Sequence, residues 1–506
     1  MKPFAPLGLP LSQPTESDVR QGAINARNEA KLRTVLAWRK LNRQRAFASV
    51  ERRAVLRAGT SLREQARHLE QNHDLALNAL RILVQNTVGA AGITVEPQPL
   101  NTSGDIHEGF AGQLRRLYKD IARRPEVTWS HDLPSAERML AWSWYRDGEA
   151  LAQLLMGAVP GLDHGTRVPF SIELLESDLL PMDFNDSGRR ISMGVEKNAW
   201  GRPIGYHLYR EHPGDALILP RATDLKRVPA DRVLHLKMVS RIRQTRGVSI
   251  FAAVLNRLDD IKDYEESERI AAKVAASMAA AIVKGSPETY EDPTDGEPRE
   301  LRFRPGMIFD ELEPGESIQM IDSKRPNPNL DAFVDGQHRR FAGGVGTSAS
   351  SLTKNYNGTY SAQRQEMVEQ YGAYGILSAE FTAQFKRPFW EACVQTAVAS
   401  GRLRIPSDLD VETMTDALYI GPQMPWIDPL KEASAWALLE ESNYASGPEI
   451  IRRRGLNPDD VINQQKRWRR KLVDAELVTE RAIETTVGSD PAGETNAQVK
   501  IHHLRA

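Results

Sequence analysis

Between Gly343 and Tyr360 the chain reads Gly343-Gly344-Val345-Gly346-Thr347-Ser348-Ala349-Ser350-Ser351-Leu352-Thr353-Lys354-Asn355-Tyr356-Asn357-Gly358-Thr359-Tyr360. One cation, a tyrosine pair, amides and hydroxyls fall together on a glycine-marked stretch. Groups of this kind touch a phosphate backbone through charge and hydrogen bonds without reading bases, and small residues keep such a segment mobile and exposed. The chemistry expected is non-covalent contact with a polyanion through Lys354, Asn355, Tyr356, Asn357, Thr359 and Tyr360. An ordinary surface loop is the alternative reading. Covalent chemistry finds no constellation. The glycines at 343–346 are not followed by the lysine of a phosphate-binding Gly-x-x-x-x-Gly-Lys-Ser/Thr loop. There is no Gly-x-Ser-x-Gly elbow and no His-Glu-x-x-His. His131-Asp132 reads as a helix cap, His502-His503 as exposed tail residues, and the carboxylates are not grouped with histidine as a nuclease metal site requires. No catalytic residue, metal or cofactor is expected.

The flanks of this segment read as helices that would position it. Apolar residues repeat at helical spacing over Leu330–Phe341, and Met367, Tyr371, Tyr374, Leu377, Phe381, Phe385, Phe389 and Cys393 recur in steps of three and four. The second run predicts one long amphipathic helix over 362–399, roughly 55 Å at the standard rise, bent at Gly372, Gly375 and Pro388, and so an elongated chain. Residues 249–284 read as a single helix with two halves. The first carries Asp259, Asp260, Asp263, Glu265, Glu266 and Glu268 on positions expected to be exposed; the second is almost all small residues from Ala271 to Ala281. Alanine takes little width, so this face lets helix backbones approach closely, as identical helices packed side by side would require; a single buried helix in a monomer is the alternative. Acidic positions facing DNA would repel phosphates over a screened distance of about 8–10 Å.

The remaining segments are read more coarsely. Residues 1–60 combine a Pro-rich leader with a basic helical stretch, either a solvated face or an arm that touches a neighbour, a capsid or DNA. Helices are predicted over 62–83, 107–123 and 134–146. Ile191, Met193 and Val195, then Ile204, Tyr206 and Leu208, alternate across Asn198–Gly201 as a hairpin, and Val233–Leu236 adds a strand. Residues 286–296 are acidic and turn-rich, with strand signals at 307–309 and 318–321. Helices return at 433–444, 447–454 and 458–478. Here Arg452, Arg453, Arg454, Lys466, Arg467, Arg469 and Arg470 form the most basic local cluster, either a DNA contact or a solvated helix end. Beyond Thr485 the composition predicts a disordered tail.

Bulk properties narrow the function classes. The 506 residues predict about three domains. With 66 basic and 67 acidic residues the formal charge is −1, unlike a general nucleic-acid binder, whose pI exceeds about 9; any DNA contact is expected to be local and weak. Cys393 is the single cysteine, so neither a disulfide framework nor a thiolate metal cluster is possible, and it is expected to be a buried packing residue. The N-terminal residues lack a signal-peptide layout, and no apolar run reaches the ~20 residues of a membrane span; a soluble protein made in a reducing cytoplasm is expected.

The segment Ser351–Tyr356, with Tyr360-Ser361-Ala362-Gln363-Arg364, resembles the tunnel-loop region of lambda-type tailed-phage portal proteins. Asn86-Thr87-Val88-Gly89 with Gly92-Ile93, Asp147-Gly148-Glu149, Gln244-Thr245-Arg246-Gly247, Pro314-Gly315-Glu316 and Trp426-Ile427-Asp428-Pro429-Leu430-Lys431-Glu432 follow in that family's order, over roughly residues 60 to 475. The resemblance implies a mainly helical α+β fold assembled as a ring. Its parts would be a basic N-terminal arm (1–60), an α+β wing (61–247), a stem helix (248–285), a small α/β clip (286–327), a returning stem helix (328–345), the tunnel loop (346–361), a long kinked helix with the wing return (362–428), a helical crown (429–482) and a tail (483–506). It implies a dodecameric ring at one capsid vertex of a virion, assembled in the host bacterial cytoplasm, that conducts double-stranded DNA during packaging and ejection. Its partners would be the terminase large subunit, head–tail connector or adaptor proteins, and the major capsid and scaffolding proteins, with no membrane. Two other readings stay open: a cytoplasmic DNA-processing enzyme subunit that uses the basic segments at 27–57 and 452–471, and a capsid scaffold component with no nucleic-acid role.

Overall fold

The computed structural model describes residues 48–214, 225–277, 281–284, 316–319, 330–425 and 428–475. The first 47 residues of the expected arm, most of the expected clip at 286–327, and the tail lie outside the described residues. The chain divides into two compact units, Met1–Pro422 and Gln423–Ala506.

The first unit opens with helices α1 (Ala48–Asn72) and α2 (Asp74–Thr87), broken at His73, where one helix over 62–83 was expected. Strand β1 (Thr94–Pro97) and helices α3 (Glu108–Ile121) and α4 (Leu133–Asp147) follow, close to the predicted bounds. Helix α4 starts where Asp132 accepts the Ser135 N–H at 2.9 Å, so that residue is a cap, as its sequence position indicated. It stops at Gly148, whose φ of +85° ends the helix in the left-handed region. Strands β2 (Glu149–Met156), β3 (Phe170–Leu175) and, farther on, β8 (Val233–Lys237) form an antiparallel sheet in the order β3-β2-β8. A second antiparallel sheet joins β4 (Ile191–Ser192), β5 (Val195–Lys197), β6 (Pro203–Tyr209) and β7 (Leu225–Pro229). The predicted hairpin is its β5–β6 pair, with Val195 opposite Tyr206.

A 3₁₀ turn at Ile250–Ala253 leads into α5 (Leu255–Ser277), and Ala281–Lys284 is a strand, β9, paired antiparallel with β10 (Glu316–Gln319). The single helix expected over 249–284 is therefore shorter. Alanine's helix propensity is a weak preference, and at 281–284 ladder pairing with a distant segment wins. Helix α6 (Leu330–Val345) runs beside α5, joined by Arg257 donating to Gln337 at 2.6 Å and by the Tyr264–Phe333 ring contact at 4.7 Å.

After a short α7 (Ala349–Thr353), the predicted long helix appears as α8 (Tyr360–Phe381), a π-helical stretch at Thr382–Lys386, and α9 (Arg387–Ala399). The irregularity sits beside Pro388, one of the three expected bend points. Proline offers no N–H and crowds the preceding turn, and the Arg387 N–H bonds back to the Thr382 carbonyl, five residues away. Steps of four residues overshoot a 3.6-residue turn by about 40°; the wider turn takes that drift back. Phe381, Phe385, Phe389 and Cys393 thus all stay buried, with successive ring centroids 5.6 Å apart along the three phenylalanines. Trp144, Phe170 and Trp390 complete this core, and burial pushes the Cys393 thiol up. Strand β11 (Ala417–Ile420) pairs with β1. The second unit holds helices α10 (Pro429–Glu441), α11 (Gly447–Arg453) and α12 (Pro458–Asp474).

Candidate functional site

The polar segment between α6 and α8 is more built than its composition suggests. Gly343 and Gly344 belong to α6. A side chain at Gly344 would collide with Val254, so that glycine serves close packing, not mobility. Gly346, at φ +78°, closes the helix as its N–H and that of Thr347 both bond the Ala342 carbonyl at 2.9 Å. Ser348 then caps α7, accepting the Ser351 N–H at 3.1 Å. Leu352 is buried, and the Asn78 amide of α2 donates to its carbonyl at 2.7 Å. Glu366 of α8 accepts from the Ser350 hydroxyl at 2.6 Å and the Ser350 N–H at 3.3 Å. Burial alone would raise the Glu366 carboxyl; these bonds outweigh that and hold it below the usual range.

Only from Lys354 onward does the segment stand clear. Lys354 adopts φ +58° at the end of α7, and Lys354, Asn355, Tyr356, Asn357, Thr359 and Tyr360 are all exposed, Tyr356 to 56% and Tyr360 to 61%. Five of the six present free side-chain faces or local amide turns, such as Asn355 accepting the Asn357 N–H at 3.2 Å. Thr359 differs: its hydroxyl caps α8 by accepting from the Ala362 N–H at 3.4 Å. Gln363 donates to the Tyr356 carbonyl and ties the far side. A cavity of about 530 Å³ beside the loop is lined by Asp335, His338, Arg339, Asn355, Asn357 and Glu366, among others. The expected mobile stretch of 18 residues is thus a short exposed arch on two fixed posts.

The other predicted residues separate by environment. On α5, Asp260, Asp263, Glu265 and Glu266 are exposed, Asp259 is half-buried, and Glu268 is buried at 8% exposure. Glu268 is therefore not on an exposed position of this unit, as its place in the acidic run had suggested. In the second unit Lys466, Arg467, Arg469 and Arg470 are exposed along α12. Arg453 is engaged, bonded to Glu449 at 3.0 Å and lying 4.6 Å over the Trp436 ring, and Arg452 is half-buried.

A buried ionic network escaped the sequence reading as a site, although two of the motifs quoted above carry it. Arg246, fully buried, straddles Glu149 through Nε at 2.9 Å and donates to the carbonyls of Leu180 at 2.9 Å, Met193 at 3.1 Å and Ser177 at 3.3 Å. Arg63 at 3.2 Å, His235 at 2.9 Å and the Gly247 N–H at 3.2 Å complete the shell of Glu149. Burial by itself would raise the Glu149 carboxyl; the Arg246 guanidinium and the His235 hydrogen bond overcome it and hold the group well below the carboxylate range. A side chain at Gly148 would strike the backbone of Val248 and Ser249, and one at Gly247 the backbone of Gly148, so both glycines permit the approach. A second buried pair, Lys386 with Glu137, is completed by Tyr118 at 2.9 Å and the Ile93 N–H at 2.8 Å. These are fastenings between distant segments. Glu176, Asp178 and His212 lie close enough to share a cation, but Arg67 already contacts both carboxylates, which places a positive charge where an ion would sit.

Residues 39–377, about two thirds of the chain, match the family described as phage portal protein, lambda family. The chain is 28% identical over 422 residues to a probable portal protein of Halomonas phage phiHAP-1, covering 80% of this chain and 79% of that one. It is 22% identical over 322 residues to portal protein B of Escherichia phage lambda, covering 57% of this chain and 59% of that protein. Among solved structures, a chain of the virion of a native gene transfer agent particle is similar at 15% identity and a TM-score of 0.44, with 79% of this chain and 94% of that chain covered.

Proposed function

This chain belongs to the lambda family of phage portal proteins, and we propose that copies of it close into a ring, dodecameric by family analogy, at one vertex of a capsid. Double-stranded DNA passes through the ring during packaging and again at ejection. The protein acts by geometry and electrostatics and is not an enzyme. In this reading residues 61–247 are the wing, 248–285 and 328–345 the stem, 286–327 the clip on which the terminase large subunit and head–tail adaptors dock, and 429–482 the crown. Capsid and scaffolding proteins contact the outside, and assembly takes place in the host cytoplasm.

The observation that carries the reading is the exposed arch at 354–360, held at its start by the buried Leu352 and the Asn78 hydrogen bond and at its end by the Thr359 helix cap. A moving duplex offers identical phosphates at every step, and contact through one cation, amides and phenols is indifferent to sequence. Exposed carboxylates at Asp260, Asp263, Glu265 and Glu266 repel phosphates within about 8–10 Å, so a duplex facing them slides without sticking. The cations of α12 supply the complementary role, resting packaged DNA against the crown.

Negative-stain imaging and native mass measurement of the purified chain test the ring. Closed particles with a central hole are expected; a chain that stays monomeric under assembly conditions overturns the proposal. Lys354→Ala is expected to lower DNA retention while rings form normally. Rings that fail to form would make the arch an assembly element. Incubation with DNA, magnesium and ATP should give neither cleavage nor hydrolysis.

A further inference from the structure

On the first unit, away from the arch, α3, the turn before β3 and the turn after α9 enclose a cleft of about 520 Å³. Its rim carries Arg116, Lys119, Arg123, Arg167 and Arg402 against a single carboxylate, Asp120. In a chain whose charges otherwise balance, this is a strong local excess. The guanidinium groups of Arg116, Arg123, Arg167 and Arg402 form no ion pair among the described residues and are exposed. The arginines that this protein buries or half-buries at Arg63, Arg67, Arg146 and Arg246 are each paired with a carboxylate. The floor is apolar: Val168 and Leu403 are buried at 2% and 6% exposure in the main core, with Leu117 packed against them.

We propose that this cleft binds an acidic, amphipathic peptide segment of a partner protein, with carboxylates on the arginine rim and an aliphatic or aromatic side chain on the floor. Guanidinium forks match carboxylates in paired hydrogen bonds, and the volume falls in the range of pockets that enclose small groups. Phosphates would satisfy the rim equally well, but a duplex is convex and cannot fill a recess of this size, and it brings nothing for the floor. A peptide fits both features. The inference does not depend on the ring, since the cleft lies within one copy.

The test uses the full chain and fluorescence anisotropy with a short labelled peptide of repeating Glu-Leu-Glu-Glu. A second peptide has serine in place of leucine, and a labelled DNA duplex serves as the nucleic-acid arm. The leucine peptide is expected to bind, to weaken as salt rises, and to lose about tenfold or more in affinity on Arg116→Glu with Arg402→Glu. The serine peptide should bind more weakly than the leucine one. Arg116→Gln with Arg402→Gln gives the same direction should the reversed pair melt early. Undetectable peptide binding, or binding unchanged in these variants, overturns the proposal. So does loss of duplex binding alone, which would assign the cleft to nucleic acid, or loss of assembly by light scattering with peptide binding intact, which would make it a contact between copies.

Discussion

Arg246→Ala puts the buried network to a quantitative test. The side chain is completely enclosed and serves Glu149 and three backbone carbonyls. Removing it leaves Glu149 buried with only Arg63, His235 and the Gly247 N–H, and leaves the carbonyls of Ser177, Leu180 and Met193 without that donor. Breaking a buried pair by deleting one partner costs about 3–5 kcal/mol. The orphaned carbonyls overlap with that figure because the cavity also relaxes, so we expect about 4 kcal/mol, or roughly a 5 °C fall in the melting transition of this large unit. Arg246→Lys keeps the charge but not the fork, and should recover about half. The pH dependence has a fixed sign. Glu149 titrates in the folded protein below its ordinary value of 4.5, so its stabilisation is complete above that value and is lost as pH falls beneath it. The variant has forfeited most of that stabilisation already. Differential scanning fluorimetry from pH 7 to pH 3.5 should therefore show the gap between wild type and Arg246→Ala widest at neutrality and closing below about pH 4.5. A variant that melts within a degree or two of wild type at pH 7, or a gap that widens in acid, refutes the argument.

Three further outcomes are expected. Gly148→Ala should destabilise by at least about 3 kcal/mol, because it combines a positive φ with collision against the Val248–Ser249 backbone; thermal melting reads it. Lys386→Met alone should cost about 3–5 kcal/mol, and Lys386→Met with Glu137→Leu much less, since the second change removes the stranded carboxylate; a double variant no better than the single would contradict this. Glu366→Ala should speed amide exchange over 348–353 about fivefold at pH 7, by loss of roughly 1 kcal/mol of hydrogen bonding to Ser350. Because the folded carboxyl sits below its ordinary range, wild type should converge on the variant as pH falls through that range.

What sequence reading recovered is mostly what short-range spacing decides. Helices α3 and α4, the β5–β6 hairpin, the cap at Asp132 and the aromatic stripe through Phe389 all follow from periodicity or from a residue and its near neighbours. The errors come from partners far along the chain. Gly344 looked like a loop residue because Val254, which requires it, is 90 positions away. The alanine-rich stretch looked helical to its end because nothing near Ala281 announces a partner strand at Glu316–Gln319. Glu268 looked solvated because an acidic helix does not reveal which face turns inward. The loop residues were legible as a polar group, yet their division into an exposed arch and a fixed base depends on Asn78 and Glu366, on two different helices. The family motifs were recognisable before their purpose was: Gly148 and Gly247 are clearance for two crossing backbones, and Arg246 is the rivet.

The five-residue turn at Thr382–Lys386 makes the chain sensitive to length at one place. Each residue of a helix advances the side chains by about 100°, so deleting one residue there would restore an even winding and swing everything after it around the axis. Phe389, Trp390 and Cys393 would leave the core together, and Lys386 would no longer meet Glu137. At that point a single-residue deletion should be tolerated worse than most substitutions, because it resets the phase of a whole helix and not the contacts of one side chain.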